Sequence, residues 1–358
     1  MSDEVVIICP ELATGSGGLA DYTRRVVEQW NGKFKLRFIL PAPEDSIVVP
    51  PSEFAVDVIE RKRAALREKL PACGRKIFLQ YSAYGFDRFG YPRWLLQTLV
   101  DWKSAGGLLV VMLHEIWTFW PVLNKNYLIQ QLHRRDLRTL IAHADAVFTS
   151  TASQAEHLRE LEPAAVVQVL PVGSNITPRA DLHANREPGL AVLFGLQGAR
   201  LRALRTMAAE LTALASASLL TKFVTMGGSN TADGNREEEE ILRTLPLSRG
   251  AERAGALPED EISAWLVRAS FGISGQDELS LTKSGTFMAC AAHALNILSP
   301  YADAKKEEPL CRLTTPAELL RGVSAEELRS RAEKLHAWQE RTSSWSTIAD
   351  RFAEALAS

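Results

Sequence analysis

Short, largely apolar runs alternate along this chain with segments whose apolar residues recur at helical spacing. Such runs predict strands buried on both faces, as in parallel sheets covered by helices, and hence the α/β fold class. In the first half the predicted strands are residues 5–9, 36–40, 77–81, 108–113, 146–149 and 166–170. The helices predicted between them are residues 20–30, 93–105, 128–144 and 153–160.

The segment 171–189 is rich in proline, glycine, asparagine and charge, which is typical of a linker between domains. After it the alternation resumes, with predicted strands 191–195, 222–226, 271–274 and 296–298. The predicted helices are 200–217, 235–245, 259–269 and 284–293, followed over 325–356 by two helices interrupted near Ser343 and Ser344.

At 358 residues the chain is too long for one ordinary core. We therefore expect two Rossmann-like α/β domains, 1–175 and 176–342, that face each other across a cleft. A terminal helix at 343–358 is expected to return to the first domain.

Composition and charge remove several classes of function. Hydrophobic residues make up 46% and charged residues 23%, as in an ordinary globular protein. A formal net charge of −2 lacks the positive footprint that nucleic-acid binding requires, so no nucleic-acid partner is expected. The four cysteines show no metal-ligand spacing, the first residues lack the basic region of a signal peptide, and no apolar stretch reaches the about 18 residues that span a bilayer. These features predict a cytoplasmic protein.

Two local basic clusters fall on predicted helical stretches. They are Arg61, Lys62, Arg63, Arg67 and Lys69, and then Arg134, Arg135 and Arg138. Two interpretations stay open: solvated helix faces, or peripheral contact with an anionic membrane surface.

A glycine-rich loop from Gly15 to Gly18 follows the first predicted strand and opens a helix. Glycines there, including Gly17 and Gly18, let a backbone approach a phosphate or sugar, and the helix start offers free N–H groups. The spacing is not G-x-G-x-x-G, so a dinucleotide is not indicated. Asp21, in the first helical turn, is a candidate catalytic carboxylate. A tight turn without a ligand, and an acid favoured by the helix dipole, explain the same residues.

His114 and Glu115 end a buried strand and precede three large aromatic residues, Trp117, Phe119 and Trp120. The carboxyl ends of strands in open α/β sheets face the ligand crevice, and tryptophan suits the face of a sugar. The pair is therefore a candidate site, although a lone histidine is often structural. Four residues at the end of the preceding predicted strand are weaker site candidates, by position alone: Tyr81, Ser82, Tyr84 and Gly85.

In the second half, Lys283, Ser284, Gly285 and Thr286 open an apolar helix after a polar loop. Ser284 can cap the helix, Gly285 admits an anion to the backbone, Thr286 can donate its hydroxyl and Lys283 adds charge, which together suit a diphosphate. Arg200 and Arg202, at another strand-to-helix junction, are candidates for a cationic clamp on the same phosphates. A bare capped helix and solvated arginines are the alternatives.

Several motifs are absent from the sequence. There is no Asp-x-Asp triplet, no paired histidine or cysteine spacing for a metal, no P-loop and no G-x-S-x-G elbow. We therefore expect no metal and no cofactor beyond the donor substrate itself.

These residues, in this order, resemble glycosyltransferases of the GT-B fold, in particular the retaining family 4 of bacterial polysaccharide assembly. The likeness covers nearly the whole chain and rests on six segments: the Gly17-Gly18 loop, VMLHE with His114, PVGSN around Gly173, FGLQGAR, GALPEDEISAWLVRAS, and the loop before KSGTFMACAAHAL. It implies a GT-B architecture whose carboxy-terminal domain binds a nucleotide sugar. It also implies that His114 lies beside the donor sugar, and that Arg200 and Lys283 neutralise the leaving diphosphate.

The chain departs from that family at one motif. Members usually carry two glutamates eight residues apart, and the aligned positions here are Leu281 and Ala289. Asp277 and Glu278, in the preceding loop, are candidate substitutes.

The resemblance implies retaining, metal-free transfer from a nucleotide diphosphosugar to a saccharide or lipid-linked acceptor. An inverting route with Asp21 or Glu115 as general base is the mechanistic alternative. A non-catalytic nucleotide or sugar binder and a nucleotide-sugar epimerase are the functional alternatives, because one fold hosts many functions.

Overall fold

The computed structural model describes residues 4–12, 18–42, 54–72, 75–117, 119–124, 126–179, 186–228 and 230–358. These residues divide into two compact units. The first unit extends to Pro171 and also contains Trp345–Ser358, and the second is Val172–Ser344. Each unit is built on one parallel sheet, which confirms the predicted α/β class.

The first unit contains, in its described part, a seven-stranded sheet of order β3-β2-β1-β4-β5-β6-β7. Its strands are β1 (Glu4–Ile8), β2 (Lys35–Ala42), β3 (Ala55–Glu60), β4 (Lys76–Tyr81), β5 (Leu108–Leu113), β6 (Ala146–Thr149) and β7 (Val167–Val169). Its helices are α1 (Gly18–Trp30), α2 (Arg63–Lys69), α3 (Ala83–Phe86), α4 (Arg93–Ser104), α5 (Tyr127–His143) and α6 (Ala152–Leu161). The last helix of the chain, given below, completes this unit.

The second unit contains, among the residues described, a five-stranded sheet of order β10-β9-β8-β11-β12. Its strands are β8 (Glu187–Phe194), β9 (Lys222–Met226), β10 (Ala251–Gly255), β11 (Ala269–Ile273) and β12 (Asn296–Leu298). Its helices are α7 (Gln197–Thr206), α8 (Ala208–Ser216), α9 (Ala232–Thr244), α10 (Glu259–Arg268), α11 (Gly285–Ala292), α12 (Pro316–Arg321) and α13 (Ala325–Ser343). Short 3₁₀ turns occupy Leu281–Lys283 and Leu310–Arg312.

Central strands follow the hydrophobic pattern, whereas the edge strands β3 and β10 do not. Val5, Val6, Ile7 and Ile8 of β1 have no exposed surface, because strands and helices cover them on every side. The prediction missed β3 and β10, which lie at the edges of their sheets and carry charged residues. A helix predicted over 200–217 is two helices, which meet at Met207 with a φ of −109°.

The carboxy-terminal helix α14 (Trp345–Ala357) packs into the first unit. The Trp30 indole N–H donates to the carbonyl oxygen of Ala349 at 2.9 Å. The Phe352 ring, fully buried, lies 4.6 Å from Phe78 and 4.9 Å from Phe148 between ring centroids. Through these contacts the chain end contributes to the core of the first unit.

Candidate functional site

Each sheet has a topological switch point beside its first strand. In the first unit β2 and β3 lie on one side of β1, and β4 to β7 lie on the other. In the second unit the order reverses between β8 and β11. Ligands of open parallel sheets bind at the carboxyl ends of the strands at such points. Each unit therefore has one position where a ligand is expected.

A cleft with about 430 Å³ of empty space, part of it open to solvent, lies at the carboxyl ends of β8 and β11. Gly275 permits a close approach there, since a Cβ on it would lie 2.7 Å from the Cα of Ala203. The lining residues are Leu193, Phe194, Ala199, Arg202, Ala203, Ile273, Ser274, Gly275, Gln276, Thr286, Phe287, Cys290 and Ile297. Its position at the switch point makes it the candidate ligand site of the second unit.

The first turn of α11 contributes to this cleft. Ser284 is the N-cap, as predicted, and its Oγ accepts the Phe287 N–H at 3.2 Å. The Thr286 hydroxyl lies 3.1 Å from Ser284 Oγ and lines the cleft. Lys283 is exposed in the turn just before the cap, although it does not line the cleft itself. Gly285 begins the helix. A helix start with a neighbouring lysine and hydroxyl is suited to a phosphate group.

Arg200 is buried and hydrogen-bonded within the second unit. Its guanidinium forms two hydrogen bonds to the Glu238 carboxylate, at 2.8 and 2.9 Å, with both side chains buried. It also donates to the Gly195 carbonyl at 2.6 Å and to Asn230 Oδ1 at 2.8 Å. The structure therefore places the Arg200 guanidinium in an internal ion pair and not among the residues that line the cleft, which gives the predicted phosphate clamp at Arg200 no support. Its charge is compensated inside the protein, and its bonds hold the loops that follow β8 and β9.

Arg202, two residues later on α7, is exposed and lines the cleft. The same helix contributes Gln197, a residue that the sequence analysis missed. Its Oε1 accepts the N–H of Thr231 at 2.9 Å, and its amide donates to Asn235 Oδ1 at 2.8 Å. The sequence signal for this residue was a polar side chain directly after a strand-to-helix junction. Gln197 fixes the start of α9 next to the strand ends.

The proposed carboxylate substitutes are surface residues. Asp277 Oδ1 accepts hydrogen bonds from the backbone N–H of Ser280 at 2.9 Å and from its hydroxyl at 2.8 Å. Glu278 pairs with Lys306. Both acids are exposed and neither lines the cleft. At the two positions aligned with the family glutamates, Leu281 is 1% exposed and Ala289 is fully buried, so these apolar side chains belong to the core.

Loops after β1 and β4 approach closely at the switch point of the first unit. A Cβ on Gly85 would lie 2.8 Å from the Pro10 side chain. The Ser82 hydroxyl donates to Glu115 Oε2 at 2.7 Å, which joins the carboxyl ends of β4 and β5. Glu115 is exposed. The structure thus pairs Glu115 with Ser82 and leaves its carboxylate at the surface.

His114 is held at the end of β5. Its backbone N–H donates to the Tyr81 carbonyl at 2.9 Å, and its ring Nε2 lies 2.6 Å from Gln80 Oε1. The Tyr22 ring of α1 packs edge-on against the imidazole, with centroids 4.8 Å apart. Gln80 carries no sequence signal of a site residue, because it is one polar residue within an apolar run of β4.

Asp21 precedes Tyr22 on the first turn of α1 and is exposed. The helix that carries Asp21 therefore packs beside His114 through the Tyr22 ring. Among the described residues, no hydrogen bond joins the Asp21 carboxylate to His114. At Gly18, which starts the helix, an added Cβ would meet no heavy atom of the described residues within 4 Å, so packing there does not require glycine. Gly17 lies outside the described residues.

Tyr81 belongs to a buried polar cluster rather than to a ligand surface. Its hydroxyl lies 2.6 Å from His133 Nε2. Burial lowers the pKa of His133 to about 4 and raises that of Tyr81 well above its usual value. Nearby, the Tyr91 hydroxyl donates to Asp136 at 2.6 Å. Because of this lowered pKa, His133 is neutral at neutral pH within the cluster.

Most members of the two basic clusters are paired. Arg63 and Arg67 share Asp101, Arg135 bonds to Asp136 and Arg138 to Glu162. The Arg134 guanidinium lies 5.0 Å from the Trp117 ring. Arg61 donates to the backbone carbonyls of Pro41 and Gly85. Much of the local positive charge is therefore compensated within the unit.

The described residues contain no group of three or more histidines, cysteines or acids arranged to hold a metal ion. Likewise, none of their helices is long and apolar enough to cross a membrane.

No protein-family model matches the chain, and no curated protein matches it in sequence. Solved structures do match. Sucrose-phosphate synthase from Thermosynechococcus elongatus aligns over 98% of both chains with a TM-score of 0.66 and 14% identity. Anabaena HepE in complex with UDP and glucose aligns over 99% of both chains with a TM-score of 0.62 and 13% identity. WaaG, a glycosyltransferase involved in lipopolysaccharide biosynthesis, aligns over 98% of this chain and 99% of its own, with a TM-score of 0.56 and 13% identity.

These neighbours are GT-B glycosyltransferases, and the likeness extends over nearly the whole of each chain. The chain therefore has the GT-B fold, as predicted. At such low identity the likeness shows the fold alone.

Proposed function

We propose that this protein is a glycosyltransferase that moves a sugar from a nucleotide diphosphosugar to a saccharide or lipid-linked acceptor. The observation that carries the proposal is the cleft at the β8/β11 switch point, where the capped start of α11 meets an exposed arginine. The fold supports it, because neighbours of the same fold were solved with UDP, as in HepE. UDP is accordingly the nucleotide we expect.

The diphosphate binds, in this proposal, to the start of α11. Its negative charge is stabilised by backbone N–H groups at the start of α11, by the Thr286 hydroxyl and by the Lys283 ammonium group. Arg202 replaces Arg200 as the arginine that contacts it. Charge develops on the departing diphosphate in the transition state, so these groups bind the transition state more tightly than the donor.

In the first unit, we propose that His114 contacts the transferred sugar. Retention of configuration and hexosyl transfer are part of the proposal and rest on the family resemblance. An inverting enzyme would need a general base, and Asp21 and Glu115 are the exposed carboxylates available for it. Analysis of the product anomer distinguishes the two routes.

Metal independence is a further part of the proposal. It is supported by the lack of an Asp-x-Asp triplet and by the positive groups at the start of α11, which neutralise a diphosphate directly. Extensive dialysis against EDTA is expected to leave the transfer rate unchanged, and recovery of a lost rate on adding Mg²⁺ or Mn²⁺ would contradict it.

A cytoplasmic location and a peripheral membrane contact also remain proposals. The described cysteines Cys9, Cys290 and Cys311 are free thiols, which fits a reducing compartment. The pairing of Arg63, Arg67 and Arg138 with acids gives the membrane contact less support. Flotation with anionic vesicles at low and high salt tests it, and failure to float at low salt ends it.

Nucleotide binding tests the core of the proposal. We expect UDP to raise the melting temperature more than GDP, ADP or TDP does. Lys283→Ala is expected to weaken UDP binding about tenfold or more, because it removes a charged hydrogen-bond donor. Lys334→Ala, which alters an exposed lysine of α13, is the matched control and should bind UDP like the unaltered protein.

Binding of no nucleotide would contradict the proposed function. Binding without turnover in the presence of acceptor extracts would favour the non-catalytic alternative, and conversion of the donor without any acceptor would favour an epimerase.

A further inference from the structure

His114 is fixed from several directions at once. Its backbone N–H is bonded to the Tyr81 carbonyl, and its own carbonyl accepts from Gln154 Nε2 at 3.4 Å. Its ring packs against Tyr22, with an angle of 83° between the ring planes. Its Nε2 lies 2.6 Å from Gln80 Oε1, a short hydrogen bond. A histidine that only filled space would need fewer polar contacts than these.

Gln80 is an unusual residue for its position. It is fully buried in β4, between Leu79 and Tyr81, where an apolar side chain would pack at no polar cost. Its amide oxygen bonds to His114, but its amide nitrogen is buried without a hydrogen-bond partner among the described residues. A buried unpaired N–H donor destabilises a protein. The chain therefore keeps a destabilising residue whose one polar contact, within this part of the structure, is the His114 ring.

We propose that Gln80 is a positioning residue that holds His114 as the neutral tautomer with its proton on Nε2. A carbonyl oxygen only accepts hydrogen bonds, so the ring nitrogen facing Gln80 Oε1 must carry the proton. Nδ1 is then the acceptor nitrogen of the ring, and any group that contacts it must donate.

The Nε2–H tautomer limits which ligand groups can form a hydrogen bond with His114 Nδ1. Sugar hydroxyls can donate to Nδ1, whereas the oxygens of an ionised phosphate cannot. This step rests on the proposed function, in which His114 contacts the transferred sugar. Gln80 would act through His114, as the partners that orient catalytic or metal-binding histidines do in other proteins.

The full-length protein, labelled with ¹⁵N-histidine, provides the direct test. Two-bond ¹H–¹⁵N correlation spectra at neutral pH distinguish Nε2–H, Nδ1–H and doubly protonated rings. The seven histidines of the chain are sorted by the signal that His114→Asn removes. We expect His114 to show the Nε2–H pattern. An Nδ1–H pattern, which an amide turned over at Gln80 would produce, or a doubly protonated ring overturns the proposal.

Substitution at Gln80 tests whether this residue sets the tautomer of His114. Gln80→Leu is expected to replace the Nε2–H pattern by an average of the two tautomers. Gln154→Leu, which removes a contact to the backbone of His114 but not to its ring, is the matched control and should leave the pattern unchanged. If Gln80→Leu keeps a pure Nε2–H pattern, Gln80 is not what sets the tautomer. Gln80→Met replaces it if the leucine variant fails to fold, and the spectrum of the unaltered protein decides the tautomer in either case.

A kinetic comparison separates this inference from the proposed function. Gln80→Leu is expected to lower kcat about tenfold with the UDP-sugar that the unaltered protein turns over, the ratio that one hydrogen bond contributes, with UDP affinity unchanged. An unaltered kcat would contradict a positioning role. Absence of UDP binding by the unaltered protein would defeat the proposed function, and the tautomer would still be readable because its measurement needs no turnover.

Discussion

The guanidinium of Arg200 can either bind a ligand or hold the protein together, and burial decides between the two. A buried guanidinium needs a counter-charge and hydrogen-bond acceptors, and Glu238, Gly195 and Asn230 accept four hydrogen bonds from it. Arg202 has no such environment, because its side chain is exposed. Residues two apart on a helix point about 200° away from each other, so Arg200 and Arg202 face opposite sides of α7.

We predict opposite effects for substitutions at these two arginines. Arg200→Met should lower the free energy of unfolding by about 3 kcal/mol, because it removes two hydrogen bonds to the buried Glu238 carboxylate and leaves Arg253, at 3.5 Å, as its charged partner. Arg202→Ala should change it by about 0.5 kcal/mol or less while weakening UDP binding. Urea unfolding and UDP titration measure the two quantities. A stability loss at Arg200 no larger than at Arg202 would contradict the assigned roles, and Arg200→Met/Glu238→Leu should recover part of the loss.

His133 couples the stability of the first unit to pH. Burial lowers its pKa to about 4, although the charges of Asp136 and Asp87 oppose the shift. An unfolded histidine has a pKa of about 6.5, so the unfolded chain binds the proton first as the pH falls. The stabilisation is therefore complete above pH 6.5 and is lost between about 6.5 and 4.

We predict that the free energy of unfolding falls over that range by up to about 3 kcal/mol from this one residue. His133→Gln should flatten the dependence, and His143→Gln, at an exposed histidine of the same helix, should not. Urea unfolding at a series of pH values measures it. Parallel curves for the His133 variant and the unaltered protein would show that the residue is not responsible.

At the scale of elements, two helices of the second unit begin with the same cap but have different surroundings. Ser284 Oγ accepts the Phe287 N–H at 3.2 Å at the start of α11, and Ser324 Oγ accepts the Glu327 N–H at 3.1 Å at the start of α13. The start of α11 lines the cleft. The pair separates the stability effect of a cap from a contribution to binding.

Ser284→Ala and Ser324→Ala should each lower the free energy of unfolding by about 1 kcal/mol. We expect only Ser284→Ala to weaken UDP binding, because that helix start is the proposed diphosphate site. Thermal unfolding and UDP titration of both variants check this. Equal UDP affinity in the two variants would remove Ser284 from the binding site.

Elements differed in how well the sequence predicted them, and the difference has a physical cause. Central strands such as β5 are buried on both faces and so require an apolar run, which is visible in the sequence. The edge strands β3 and β10 are partly exposed, and charged residues are acceptable there. No proline or glycine lies near the break at Met207, so the sequence predicted one continuous helix there.

At the scale of the molecule, the chain end completes the first unit. Phe352 packs against Phe78 of β4 and Phe148 of β6, more than two hundred residues earlier in the chain. The apolar surface of this sheet is thus covered in part by a helix that follows the second unit in the sequence.

We predict that Phe352→Ala destabilises the first unit by about 3–5 kcal/mol, the usual cost of a buried phenylalanine. Arg351→Ala, at the exposed neighbour, should stay within about 0.5 kcal/mol. Hydrogen exchange followed by peptide should show lost protection in β1, β4 and β5 and unchanged protection in β8 and β9. Equal loss in both sheets would contradict the assignment of α14 to the first unit.

The sequence by itself determined the α/β class, the central strands, the Ser284 cap and the positions of His114, Glu115 and Lys283 at strand or helix ends. These features depend on local patterns of burial and on capping chemistry, which a linear chain displays. Only the tertiary structure decided that Arg200 is an internal ion pair, that Asp277 and Glu278 lie outside the cleft, and that Gln80 faces His114. Each of these depends on how segments tens of residues apart in the chain come together, so neither residue type nor spacing could reveal it.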